Sequence, residues 1–184
     1  MKKVFTLFVV LATSICAFAQ TETTKKEIDP LDLSSELKKI SDYGIPTVQL
    51  VEQMKAKADT LYKNESFSEA AKAYEEYAKK ANWLANLLSQ CVEPYYSASY
   101  DDKKNTPYYT LKSFIPYESA ANDLKRNRNT AYVRIGLCYK NLGNSEKAVA
   151  YLYKGLDLVN VDEYADWVIA SKALAELVGF KPEE

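Results

Sequence analysis

Histidine is absent from all 184 residues. That removes the serine–histidine–aspartate and cysteine–histidine routes to a nucleophile, and every metal site that depends on imidazole. Glycine is scarce, at five residues, and no glycine-rich phosphate loop can be drawn from them. Cysteine is limited to Cys16, Cys91 and Cys138. Past the N-terminus no apolar run approaches the roughly 20 residues that a membrane helix requires. No segment alternates polar and apolar residues for long enough to make a strand. Basic and acidic side chains nearly balance, 24 against 25, so the basic footprint of a nucleic-acid binder is missing too.

What is present begins with an export signal. In "MKKVFTLFVVLATSICAFAQ", Lys2 and Lys3 precede an apolar run from Val4 to about Cys16. Ala17-Phe18-Ala19 then places small residues where a signal peptidase reads, so residues 1–19 form a predicted signal peptide cleaved before Gln20. Lipoprotein processing would make Cys16 the new N-terminus, but Ile15 stands where a small residue is required, so a lipid anchor is not expected. The mature chain is expected in the periplasm or outside the cell, without a membrane span. Its length suits a single domain with one sizeable core.

Residues 20–28 are polar and read as a flexible leader; residues 29–184 read as one helical domain. Asp29-Pro30 looks like a cap and first turn, Leu33, Leu37 and Ile40 fall at helical spacing, and Gly44 supplies a stop. A second helix is predicted from about 47 to 63, with Val51, Met54, Ala58, Leu61 and Tyr62 on one stripe. Ser66 with Glu69 reads as a capping box for a long helix that carries Ala70, Tyr74, Tyr77, Ala81, Leu84, Leu88 and Cys91 on one face and ends at Pro94. The helical pattern resumes near Ser119, is interrupted around "KRNRN", and is firm from Thr130 to Leu142. Gly143-Asn144 makes a turn into a helix over about 145–158, and Asp162 caps a final helix over about 163–178, stopped by Gly179 and Pro182. The predicted fold class is all-α.

Two of these helix pairs can be superimposed. One has Tyr132, Ile135, Gly136 and Tyr139, then Ala148 and Leu152. The other has Met54, Ala58 and Leu61, then Ala70 and Tyr74, with Lys57 where an apolar residue is expected and no turn glycine. The pattern resembles the tetratricopeptide repeat, in which small residues let two antiparallel helices approach and large ones fill the space between. The resemblance implies a short α-solenoid, with repeats over about 48–82 and 129–160 and a capping helix at the C-terminal end. Ala70 and Ala148 lie 78 positions apart against a family period of 34, which leaves 44 residues as insertion. Two repeats leave apolar faces uncovered, so the cover must come from the first helix, the last helix and the insertion.

The insertion, about 92–118, holds "EPYYSASYDDKKNTPYYTLKSFIPYES" across its length. Tyr95, Tyr96, Tyr108, Tyr109, Phe114 and Tyr117 are expected to pack over the repeat edges as a lid. The other reading leaves some of these rings exposed for recognition. Cys91 and Cys138 would be oxidised together only if close; two free, packed thiols are expected.

The family resemblance implies a non-catalytic scaffold that binds envelope or secreted proteins or peptides in a concave groove. It would place Lys55, Asp59, Arg134 and Lys140 toward that groove; Tyr108 and Tyr109 are further candidate contact residues on the reading that leaves the insertion's rings exposed. The lysine-and-asparagine clamp of some members is not matched, because Asp59 and Leu137 stand in the corresponding places. No catalytic residue, cofactor or metal is expected, and self-association is left open. Asp101-Asp102 are followed by Lys103-Lys104 without a glycine-turned loop, and adjacent Glu75-Glu76 diverge on a helix. A second reading has the tyrosine-rich insertion stack on a glycan, with Asp101, Asp102 and Asn105 supplying hydrogen bonds.

Overall fold

The computed structural model describes residues 29, 31–160 and 163–181. The export signal, the leader, Pro30, the Asp162 cap and the Pro182 stop lie outside the described residues. Among the described residues there are seven helices and no strand: α1 (Ser34–Tyr43), α2 (Val48–Lys63), α3 (Phe67–Gln90), α4 (Tyr100–Lys104), α5 (Tyr108–Asn141), α6 (Ser145–Leu158) and α7 (Tyr164–Leu177). The fold is all-α, as the periodicity indicates.

Helix boundaries follow local chemistry, with two corrections. Asp29 does not cap α1; its carboxylate accepts from the Leu31 N–H at 2.9 Å, and the helix begins only at Ser34. Ser66 precedes α3 without a side-chain cap, so the expected capping box is absent. In such a box the Glu69 carboxylate would need the Ser66 N–H, which already donates to the Leu61 carbonyl at 3.0 Å and closes the preceding helix. Thr47 does cap α2, its hydroxyl accepting from the Leu50 N–H at 3.2 Å.

The two hairpins, α2–α3 and α5–α6, turn in the same way. Ser66 N–H bonds to the Leu61 carbonyl and Asn144 N–H to that of Tyr139; Glu65 N–H bonds to Tyr62 and Gly143 N–H to Lys140. Each pair is offset by the 78 residues that separate Ala70 from Ala148. Gly143 takes a φ of 72° at this turn, and Glu65 takes a φ of 58° at the equivalent place. The earlier unit thus keeps the left-handed turn without the glycine that ordinarily makes it inexpensive.

The helices stack in order. α3 lies between α2 and α5, α6 lies between α5 and α7, and α7 reaches back to α5. One core joins Val51, Ala58, Ala70, Tyr74, Tyr77, Ala131, Ile135 and Cys138, with Met54, Leu61 and Tyr139 packed against it. A second joins Val133, Leu152, Val159, Ala170 and Ala173. The α5–α6 crossing is close because each helix offers a glycine to the other. A Cβ on Gly136 would lie 2.6 Å from Leu152 Cγ, and one on Gly155 would lie 2.8 Å from Val133 Cγ2. Ala148 is fully buried, and Tyr132 and Tyr139 stack on Tyr151 at 6.1 and 5.7 Å between ring centres.

The insertion differs most from expectation. α5 runs unbroken for 34 residues, through Pro116 and through "KRNRN". A proline inside a helix removes one backbone hydrogen bond and crowds the preceding turn. Tyr95 clamps the helix on both sides of it: its ring packs on Phe114 at 5.2 Å and its hydroxyl donates to Glu118 at 3.2 Å. Tyr96 adds a bond from its hydroxyl to Asn122 at 2.7 Å. Nor does the basic run interrupt the helix. Lys125 donates to the Tyr96 hydroxyl at 3.0 Å, Arg126 pairs with Glu163 at 3.1 Å, Arg128 bonds Asn82, and Asn129 donates to the Leu158 carbonyl at 2.8 Å. These four side chains each fasten α5 to a different neighbour.

The cover over the α2–α3 edge is therefore the N-terminal half of α5, where Leu124 joins the core beside Leu84 and Leu88. The first helix does not supply it: Leu33, Leu37 and Ile40 are exposed. Both thiols are free. Cys138 is a packing residue whose thiol burial pushes up to about 11, whereas Cys91, expected on the buried face, is exposed at the end of α3.

Candidate functional site

α2 and α5 face one another across α3 and leave a groove of about 330 Å³ between them. α2 contributes Lys55, Asp59, Tyr62 and Lys63, spaced so that they share one side of the helix. α5 contributes Asn127, Thr130, Ala131 and Arg134 at the same kind of spacing. Tyr74 and Tyr77 of α3 form the floor. The groove continues toward the start of α2 between Val48, Val51 and Glu52 on one side and Ala120, Asp123 and Leu124 on the other.

Three of the residues singled out from sequence meet here. Lys55 Nζ donates to Asp59 Oδ2 at 3.0 Å, the Tyr74 hydroxyl donates to Asp59 Oδ1 at 2.6 Å, and the Arg134 guanidinium lies 5.1 Å over the Tyr62 ring. Burial raises the Tyr74 pKa, and the hydrogen bond to Asp59 raises it further. Tyr77 is pushed up to about 12, chiefly by burial. Both phenols therefore hold their protons near neutrality, and Tyr74 donates its own to Asp59.

Lys140, the fourth, is not in this groove. Six residues beyond Arg134 turn the helix to its other side, where Lys140 pairs with Glu176 of α7 and holds that carboxyl below its usual range. Tyr62, Lys63, Tyr77, Asn127 and Thr130 also line the groove and were not singled out as contact residues. Tyr62 and Tyr77 were legible as members of apolar stripes, but Lys63 carried no signal. On the opposite side of α3, Glu75 accepts from the hydroxyls of Tyr139 at 3.0 Å and Tyr151 at 2.9 Å, a structural bridge between the hairpins.

Tyr108 and Tyr109 do not form a lid. They are 78% and 79% exposed, and Tyr100 and Tyr117 are exposed as well. The reason is the continuation of α5: in a helix only one side faces the fold, and that side is taken by Phe114, Glu118 and Ala121. Tyr108 and Tyr109 begin the opposite side together with Lys112 and Ile115. Among the described residues no helix is long and apolar enough to cross a membrane, and no group of three or more Cys, Asp or Glu converges as a metal site. Compared with protein-family models, curated proteins and solved structures, the chain matches none.

Proposed function

We propose that this chain is an exported, non-catalytic adaptor, tetratricopeptide-like in build, whose α2–α5 groove holds a segment of another envelope or secreted protein. The observation that carries it is the meeting of the Lys55–Asp59 pair of α2 with Arg134 of α5, remote from it in sequence, above a floor of two tyrosines. The repeat resemblance supports the same face, since the first helix of each hairpin lines it. Non-catalytic binding fits the local chemistry: Asp59 is engaged through both oxygens, and both phenols remain protonated. The test is a photo-crosslinking amino acid placed at Lys63, compared with one at Tyr153, which is exposed on α6 outside the groove. Crosslinks to one protein from position 63 and not from 153 are expected. Equal labelling from both positions, or none from 63, would sink the groove reading.

A second reading is favoured by the exposure of Tyr100, Tyr108 and Tyr109, which offers ring faces to a glycan. Here the double substitution Tyr108→Ala, Tyr109→Ala is expected to leave stability within about 0.5 kcal/mol, as surface changes ordinarily do. Glycan-array binding should be lost at the same time. A melting temperature lower by several degrees would show that these rings pack after all.

A further inference from the structure

The groove is electrically polar along its length. At the end nearer the α2–α3 turn stand Lys63 and Arg134, and neither forms an ion pair among the described residues. Arg134 lies over the Tyr62 ring, an arrangement that leaves guanidinium N–H groups able to take a carboxylate in bidentate fashion. Among the described residues Asp59 is the one carboxylate lining this section and is paired with Lys55, so the cations Lys55, Lys63 and Arg134 exceed it and leave this end net positive. The other end carries Glu52, also without an ion pair among the described residues, and Asp123, which is held by Arg126 at 3.3 Å. Lys55, Tyr77 and Asn127 line both sections; Lys55 is paired with Asp59 and Tyr77 is buried, so the middle adds no unpaired charge.

We infer that the occupant is a bipolar peptide segment, with an acidic side chain at the Lys63–Arg134 end and a basic one at the Glu52 end. This rests on the groove reading proposed above. From Glu52 to Lys63 the α2 axis advances about 16 Å at roughly 1.5 Å per residue. An extended peptide covers that distance in about five residues at roughly 3.3 Å each. The acidic and basic side chains of the occupant therefore stand about five positions apart. A uniformly acidic segment would meet Glu52, and a uniformly basic one would meet Lys63 and Arg134, so the groove selects against both.

The experiment uses the full chain and an immobilised random decapeptide library. The unsubstituted protein is expected to retain decapeptides enriched in an acid and a base about five positions apart. With Lys63→Glu and Arg134→Glu together, the acidic preference should invert to a basic one, and affinity for the originally selected peptides should fall at least about tenfold. Glu52→Lys should invert the preference at the other end only. Melting curves of each variant check that the fold is kept. Selected peptides that lack this charge pattern, or a pattern that persists unchanged in the variants, would overturn the bipolar assignment while leaving a groove ligand in place. If no decapeptide is retained by the unsubstituted chain, both the assignment and the groove reading fail.

Discussion

The Gly136→Val substitution is expected to lower stability by about 3 kcal/mol, at the upper end of typical overpacking costs. The first added carbon alone would sit 2.6 Å from Leu152 Cγ, 2.9 Å from Leu152 Cδ2 and 3.0 Å from the Leu152 backbone nitrogen. Leu152 is fully buried, so its side chain has nowhere to withdraw. For a domain of this size, 3 kcal/mol corresponds to a melting temperature about 6–12 °C lower. Gly136→Ala should also destabilise, although alanine gains about 1 kcal/mol over glycine in a helix interior. A double-mutant cycle with Leu152→Ala identifies the cause. Removing Cγ and Cδ2 relieves part of the clash, so the double variant should be less destabilised than the two single changes predict together. An unchanged or raised melting temperature for Gly136→Ala would show that α5 and α6 do not approach this closely. The consequence reaches the groove, because α6 sets the position of the helix that carries Arg134.

Alkaline conditions are expected to unfold the protein earlier than neutral stability would suggest. Tyr77 is pushed up to about 12, and Tyr74 and Tyr151 are raised as well, in each case mainly by burial. In the unfolded chain these phenols lose their protons near the ordinary tyrosine value of about 10. Between that value and their folded values the unfolded state binds fewer protons, so stability falls as pH rises. It is fully present below about pH 10 and is lost as pH climbs through 12. Each such tyrosine removes up to roughly 1.4 kcal/mol per pH unit, and three acting together remove up to about 4. A domain with roughly 5 kcal/mol of stability, the low end for a native protein, would then unfold from about pH 11 upward. Melting temperature measured by circular dichroism from pH 8 to 12 tests this. Tyr77→Phe should reduce the slope by about a third, because phenylalanine has no proton to lose. A melting temperature independent of pH up to 11.5 would contradict the burial of these hydroxyls.

The helical hairpins were readable because their determinants are local. Met54, Ala58, Leu61, Ala70 and Tyr74, and again Tyr132, Ile135, Gly136, Tyr139, Ala148 and Leu152, repeat at spacings that only a helix places on one side. All of them are buried or half-buried in the structure. Gly143 signalled its turn for the same reason. Glu65 did not, since nothing in a glutamate announces a φ of 58°. Gly155 was overlooked because its role is to receive Val133 from another helix.

The sequence by itself determined an all-helical chain, the pairing of two hairpins, and the absence of histidine chemistry, because residue type and spacing act within a few turns of backbone. Tertiary structure alone decided the fate of residues 93–119. Pro116 argues locally for a break, yet the helix passes through it, held on either side by Tyr95. That continuity turns Tyr108 and Tyr109 outward, makes the first half of α5 the cover of the stack, and distributes "KRNRN" among four neighbours. It also decided that Arg134 joins Lys55 and Asp59 while Lys140 pairs with Glu176. The physical reason is common to all of these. Local preferences of roughly 1–3 kcal/mol per residue are overridden when contacts distant in sequence, each modest, act together on one helix.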